Sequence, residues 1–85
     1  MHDGSSVQSP GQVIADIVAR MQLAAGRAPV GPADNLRKAG FSSMDLVTLM
    51  LSVEDAFGIE LPQEKMTPDS FRSIEAIEAL VASLS

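Results

Sequence analysis

The stretch "AGFSSMDLVTLMLSVEDAFG", residues 39–58, sets two adjacent serines at the head of a dense apolar run. Nine of the fourteen residues from Met44 to Phe57 are apolar. At about 100° per residue, Leu46, Leu49, Met50, Val53 and Phe57 fall in one sector of a helical wheel. The spacing predicts a helix from Ser43 to Phe57, with Gly58 as its C-terminal stop. Met44, Val47 and Leu51 fall on nearly the opposite side, spaced i, i+3, i+7, and Glu54 and Asp55 flank them one turn further on. A surface helix of a small domain needs only one apolar stripe. The second stripe therefore has two readings. An apolar strip rimmed by carboxylates suits a basic, partly apolar partner; alternatively, the helix is buried on both sides, with Met44 folded under the preceding loop.

Two further helices are legible on either side. In "SPGQVIADIVARMQLAAG", Ser9 can cap, Pro10 suits the first helical position, and Gln12 completes a capping-box pattern. Val13, Ile14, Ile17, Val18 and Met21 then give one apolar face, and Gly26 ends the helix. From Arg27 to Ser42 the chain reads as a long loop that Leu36 can pin to the core. "IELP" is an extended link, because Pro62 disfavours helix before it. "TPDSF", residues 67–71, predicts a short turn of helix. The last helix begins near Ser73, with Ile74, Ile77, Leu80, Val81 and Leu84 on one face. No period-two pattern suggests a strand. The predicted fold is all-α: a small up-and-down bundle of three main helices plus one short helix. Residues 1–8 are expected to be a flexible N-terminus, and 9–85 a single domain.

Composition narrows the function. The 85 residues carry a net charge of −5, no cysteine, one histidine, and no Trp or Tyr. Such a chain supports one modest aliphatic core and little room for a deep cleft. Thiolate zinc sites and disulfides are excluded. The single histidine, His2, lies in the Gly/Ser-rich start, a poor place for a catalytic triad member, and this argues against a small hydrolase. No glycine-rich phosphate loop is present. The acidic balance repels nucleic acid and suits basic protein partners. Without a membrane-spanning run or signal-peptide pattern, the expectation is a cytoplasmic monomer that is not an enzyme.

The serines remain. Ser is a preferred N-cap, since its hydroxyl satisfies an orphan backbone N–H. One is enough, so Ser42 is read as the cap and Ser43 as the first helical residue. A hydroxyl there points outward, near free N–H groups and the positive end of the helix dipole, where a phosphate ester is well tolerated. Taken alone, the pair reads first as redundant caps.

The wider pattern "L-x-x-x-G-F-S-S-M-D-L", with Leu36, Gly40, Ser43, Met44 and Asp45, resembles the attachment motif of acyl carrier proteins. In that family a glycine precedes the modified serine by three residues, and Leu or Met follows it at the start of the second helix. The resemblance continues through "SVEDAFGIELP" and the final helix, covering about residues 12 to 84. It implies a carrier on which Ser43 receives 4′-phosphopantetheine from coenzyme A. The arm's terminal thiol would hold an acyl or aminoacyl group as a thioester, so the chain needs no cysteine of its own. Implied partners are a phosphopantetheinyl transferase, a loading ligase and a downstream transferase, with no nucleic acid and no membrane. The docking surface would comprise Ser42, Met44, Asp45, Val47, Thr48, Leu51, Glu54 and Asp55.

Two departures bear on cargo. The residue before the carrier serine is usually Asp in this family and here is Ser42; Thr48 stands where many fatty-acid carriers have Glu. A less acidic helix points away from ordinary fatty-acid enzymes. "GFSSM", "MLSVEDAFGIELP" and "SFRSIEAIE" look like a group of small bacterial stand-alone carriers, some of them aminoacylated by ligases resembling aminoacyl-tRNA synthetases. The leading expectation is an amino acid cargo loaded by an ATP-dependent ligase. The alternatives are a fatty-acid or polyketide acyl carrier and, in another class, a cofactor-free helix-binding interaction module.

Overall fold

Ser9 adopts an extended conformation, and its hydroxyl accepts the Gln12 N–H at 3.3 Å, starting helix α1 (Pro10–Ala24) with a proline in its first turn. That is the hydroxyl–amide half of the box expected from Ser9 and Gln12. The structure is a computed structural model describing residues 9–84, so the expectations for residues 1–8 and for His2 lie outside the described residues. α1 ends in a Schellman pattern: the Arg27 N–H reaches Gln22 O at 2.8 Å and the Gly26 N–H reaches Leu23 O at 3.1 Å. Gly26 takes φ +71°, which a side chain would disfavour. Ile14 and Val18 are buried, and Ile17 and Met21 pack partly against the same core.

The loop from Arg27 to Ser42 is tied down at defined points. Leu36 is fully buried, as its place in the sequence suggests, and its N–H donates to Arg72 O at 2.8 Å. Its own carbonyl accepts the Phe41 N–H at 3.0 Å, and Pro32 O accepts the Glu75 N–H at 3.0 Å. The loop is thus laced to the segment that opens the last helix. Phe41, only 2% exposed, adds an aromatic ring to the core just before the serines.

Helix α2 spans Ser43–Phe57, the predicted bounds, and Gly58 follows at φ +62°. Leu46, Leu49, Met50 and Val53 are buried, and Phe57 packs partly on the core, so the inner stripe is core as expected. Helix α3 spans Ile74–Leu84; Ser73 Oγ accepts the Ala76 N–H at 3.1 Å at its start. Ile77 is fully buried, with Ile74, Leu80 and Val81 nearly so. α1 packs against both α2 and α3. The described residues thus form three α-helices, and the all-α expectation is met.

The expected short fourth helix needs correction. Between α2 and α3 the only helical element among the described residues is a single 3₁₀ turn, Gln63–Lys65. It is closed by Lys65 N–H to Pro62 O at 2.9 Å and Met66 N–H to Gln63 O at 3.1 Å. "TPDSF" forms turns instead. Thr67 Oγ1 accepts the Ser70 N–H at 3.2 Å, and its hydroxyl donates to Ser70 Oγ at 3.1 Å. A threonine side chain has displaced a backbone carbonyl as acceptor there, which favours a turn over a helix.

Candidate functional site at the head and outer face of α2

The first turn of α2 is built by a reciprocal capping box. Ser42 Oγ accepts the Asp45 N–H at 3.1 Å, and Asp45 Oδ2 accepts the Ser42 N–H at 2.9 Å. Ser42 O also takes the Leu46 N–H at 3.0 Å. With the cap supplied by Ser42, Ser43 is the first helical residue. It is exposed, and no described residue engages its hydroxyl. The site suits a phosphate ester: an accessible hydroxyl, orphan N–H groups close by, and the positive end of a 15-residue helix.

Sequence reasoning read Asp45 as a recognition acid. The structure turns its carboxylate back onto the chain. Beside the Ser42 N–H stands Arg27, whose Nη2 lies 3.6 Å from Asp45 Oδ2. The backbone N–H of Ser42 above all, with the Ser42 hydroxyl and the Arg27 charge, holds the Asp45 carboxyl below its ordinary value of 3.8, outweighing its partial burial. Arg27 is itself held from several sides. Its Nε donates to Gln22 Oε1 at 3.0 Å, and its guanidinium lies 5.6 Å from the centroid of the Phe41 ring. Gln22 is 2% exposed and donates its Nε2 to Ala28 O at 2.9 Å, so both ends of a buried amide are paired. Neither Arg27 nor Gln22 was expected at the site. The one available signal is that Gln22 falls four residues after Val18, at a core register where a polar side chain needs partners.

Gly40 completes this arrangement. Its φ is +111°, and a Cβ added there would stand 2.7 Å from Arg27 Cδ. The glycine three residues before Ser43 thus serves two purposes, a backbone turn closed to other residues and room for the arginine stem.

The outer face carries the second stripe into solvent. Met44 is 72% exposed, Val47 43% and Leu51 56%. Thr48 is exposed between them. Glu54, expected to rim the strip, is half-buried, and its Oε2 accepts the Leu61 N–H at 2.7 Å. Asp55 is exposed and lines an open groove between α2 and α1, shared with Asp16, Ile17, Arg20 and Ser52. Of the eight expected docking residues, Met44, Val47, Thr48 and Leu51 form one exposed surface beside Ser43, whereas Asp45 and Glu54 spend their charge on backbone N–H groups.

Known proteins resemble this arrangement along nearly its whole length. A family model for the phosphopantetheine attachment site matches residues 12–81. Aminoacyl carrier protein 2 of Bradyrhizobium diazoefficiens is 37% identical over 81 residues, covering 95% of this chain and 90% of its own. The fold is similar to a chain in the crystal structure of Bradyrhizobium japonicum glycine:carrier protein ligase complexed with cognate carrier protein and an analogue of glycyl adenylate. That match has a TM-score of 0.81 at 34% identity and covers 89% of this chain and 99% of the other. A second crystal structure, the same ligase complexed with glycylated carrier protein, matches with a TM-score of 0.79 at 34% identity, covering 86% of this chain and 99% of the other. Fold, motif and relatives agree: the chain belongs to the phosphopantetheine attachment site family, with the aminoacyl carrier proteins, whose arm is a covalent 4′-phosphopantetheine.

Proposed function

We propose that Ser43 is the attachment residue and that the chain, over residues 9–85, is a single carrier domain presenting an amino acid to partner enzymes. The observation that carries this reading is the division of labour between the serines. Ser42 caps α2 and leaves the Ser43 hydroxyl exposed at the first helical position. When bound, the arm supplies a thiol that holds the aminoacyl group as a thioester. The chain's own residues do the rest. Ser42 and Asp45 fix the turn that displays the hydroxyl, and the N-terminus of α2 favours the negative charge of the phosphodiester. Met44, Val47 and Leu51 offer an apolar surface to the transferase, to an ATP-dependent loading ligase and to a downstream transferase. The chemistry belongs to those partners, and the carrier itself does not catalyse.

An amino acid is favoured as cargo because the relatives are aminoacyl carriers and the similar solved structures include a glycylated carrier protein. Glycine is the first amino acid to test. Among the described residues no helix is long and apolar enough to cross a membrane, which fits the proposed cytoplasmic setting.

Incubation with coenzyme A and a broad-specificity phosphopantetheinyl transferase should add one group, seen as a gain in intact mass. Ser43→Ala should abolish it. The loaded protein should then accept an amino acid from a ligase with ATP. Modification of the Ser43→Ala protein would sink the assignment. Malonyl loading without aminoacylation would overturn the cargo and leave the carrier reading intact.

A further inference from the structure

Arg27 is the point where four parts of the chain meet. Its Nε is bonded to buried Gln22 on α1 at 3.0 Å, and its guanidinium lies over Phe41 at 5.6 Å. Its stem occupies the space that a Cβ at residue 40 would fill, 2.7 Å from Cδ. Its Nη2 faces Asp45 Oδ2 at 3.6 Å, and that same oxygen accepts the Ser42 N–H at 2.9 Å. The contacts therefore run without a gap from the end of α1, through one side chain, to the backbone of the residue before Ser43.

The capping box does not supply this connection. Ser42 and Asp45 bond to each other, so the box fixes the internal shape of the first turn of α2. It does not fix that turn against the rest of the bundle. Leu46 packs that turn on the core, and Arg27 adds a polar tie to α1, because Gln22 anchors its other end: Gln22 is 2% exposed and its amide is itself bonded to Ala28 O at 2.9 Å. An arginine suits the task, since its planar head can donate from Nε to an amide oxygen while its Nη2 keeps the charge beside a carboxylate.

We infer that Arg27 is a positioning residue for Ser43, clamping the head of α2 to the end of α1 so that the hydroxyl is presented in one orientation to the enzymes that modify and load it. This rests on the reading of Ser43 as the attachment residue. None of the clamp's contacts involves Met44, Val47 or Leu51, so its loss should spare docking and impair presentation. Misplacement of a reacting group lowers the rate of the bound complex, whereas loss of a docking contact raises KM.

The test uses the full chain with Arg27→Met, which keeps an apolar stem beside Gly40, and Arg27→Lys, which keeps the charge. Both are checked for fold by circular dichroism. In Arg27→Met, kcat for phosphopantetheine transfer from coenzyme A should fall about tenfold or more, with KM within about twofold of wild type. Arg27→Lys should recover part of kcat. Independently of any enzyme, amide hydrogen exchange at Ser42 and Asp45 in the unmodified protein should speed up in Arg27→Met, while exchange in α3 stays unchanged. Wild-type kcat together with unchanged exchange in Arg27→Met would overturn the inference. Should Arg27→Met fail to fold, Arg27→Lys is read by the same two measurements. Intact-mass and peptide analysis of the modified wild type keeps the two readings apart. Modification at a residue other than Ser43 overturns the attachment assignment and with it the role proposed for Arg27.

Discussion

Leu49 and Leu51 stand two residues apart on one helix and have the same side chain; the first is 0% exposed and the second 56%. The same contrast separates Val53 at 0% from Val47 at 43%, and Met50 at 5% from Met44 at 72%. α2 therefore holds two apolar faces of matching chemistry, and only one is covered by the bundle. Hydrophobicity alone does not bury a residue: the wheel position decides, because α1 can pack against one side only. The inner face contributes to folding, at about 1.5–3 kcal/mol for each large side chain fully removed from water. The outer face contributes little, and its exposure is unfavourable in free solution. A face of this kind gains its stabilisation when a partner covers it.

The strongest way to break this contrast is to place a charge on each face. Leu49→Asp or Val53→Asp puts an unpaired carboxylate in the core and should unfold most of the protein at room temperature, since the cost of several kcal/mol rivals the whole stability of so small a domain. Circular dichroism melts would show it. Gly40→Ala should come next, lowering stability by about 1–3 kcal/mol, because alanine must adopt a left-sided backbone at φ +111° and displace the Arg27 stem. Chemical denaturation measures that loss, and wild-type stability would mean that the loop before α2 relaxes freely. Ser42→Ala, at the head between the faces, should cost about 1 kcal/mol for the lost cap and still accept the arm at Ser43.

Asp45 makes the comparison depend on pH. Its carboxyl lies below 3.8 in the folded chain, so the folded state prefers the ionised form. The stability this contributes is complete above the ordinary carboxylate range and is lost as pH falls through the lowered folded value. Wild type should therefore melt above Asp45→Asn at pH 7, and the gap should close below about pH 3.8. A gap independent of pH would remove the charge from the account. The smallest effect on stability belongs to the outer face. Val47→Asp and Leu51→Asp should stay within about 0.5 kcal/mol of wild type and yet transfer poorly to and from partner enzymes. A Val47→Asp protein that melts as badly as Val53→Asp would turn the proposed docking strip into core.

The three helices and both stripes of α2 were legible in the sequence because 3.6-residue periodicity survives over fifteen residues, as from Ser43 to Phe57. Three residues cannot carry a period, which is why the 3₁₀ turn at Gln63–Lys65 was missed and a helix was expected at Thr67–Phe71. Phe41, Leu61 and Phe71 are buried from irregular segments, where no pattern marks an inward side chain. The candidate site divides along the same line. Ser42 as cap and Ser43 as exposed neighbour follow from local chemistry. The path from Gln22 through Arg27 to Asp45 does not, since it joins residues 22, 27 and 45 through tertiary contact. Glu54 and Asp45 looked like surface charges because a carboxylate bonded to a backbone N–H leaves no mark on composition or spacing.

Glu54 also sets a limit on transplantation. Its Oε2 holds the Leu61 N–H at 2.7 Å, and its carbonyl takes the Ile59 N–H at 3.1 Å, so the tail of α2 is stitched to the link that follows. The head is held by Arg27, sixteen positions before Ser43. α2 is thus no interchangeable cassette. A chimaera that moves residues 43–57 alone into another carrier would arrive with both ends untethered, and a charge-reversal scan that includes Glu54 would cut a stitch while appearing to map a partner. The smallest portable unit runs from the end of α1 through Leu61, and a carrier redesigned to meet a new ligase should keep that unit whole while its outer face is rewritten at Met44, Val47, Thr48 and Leu51.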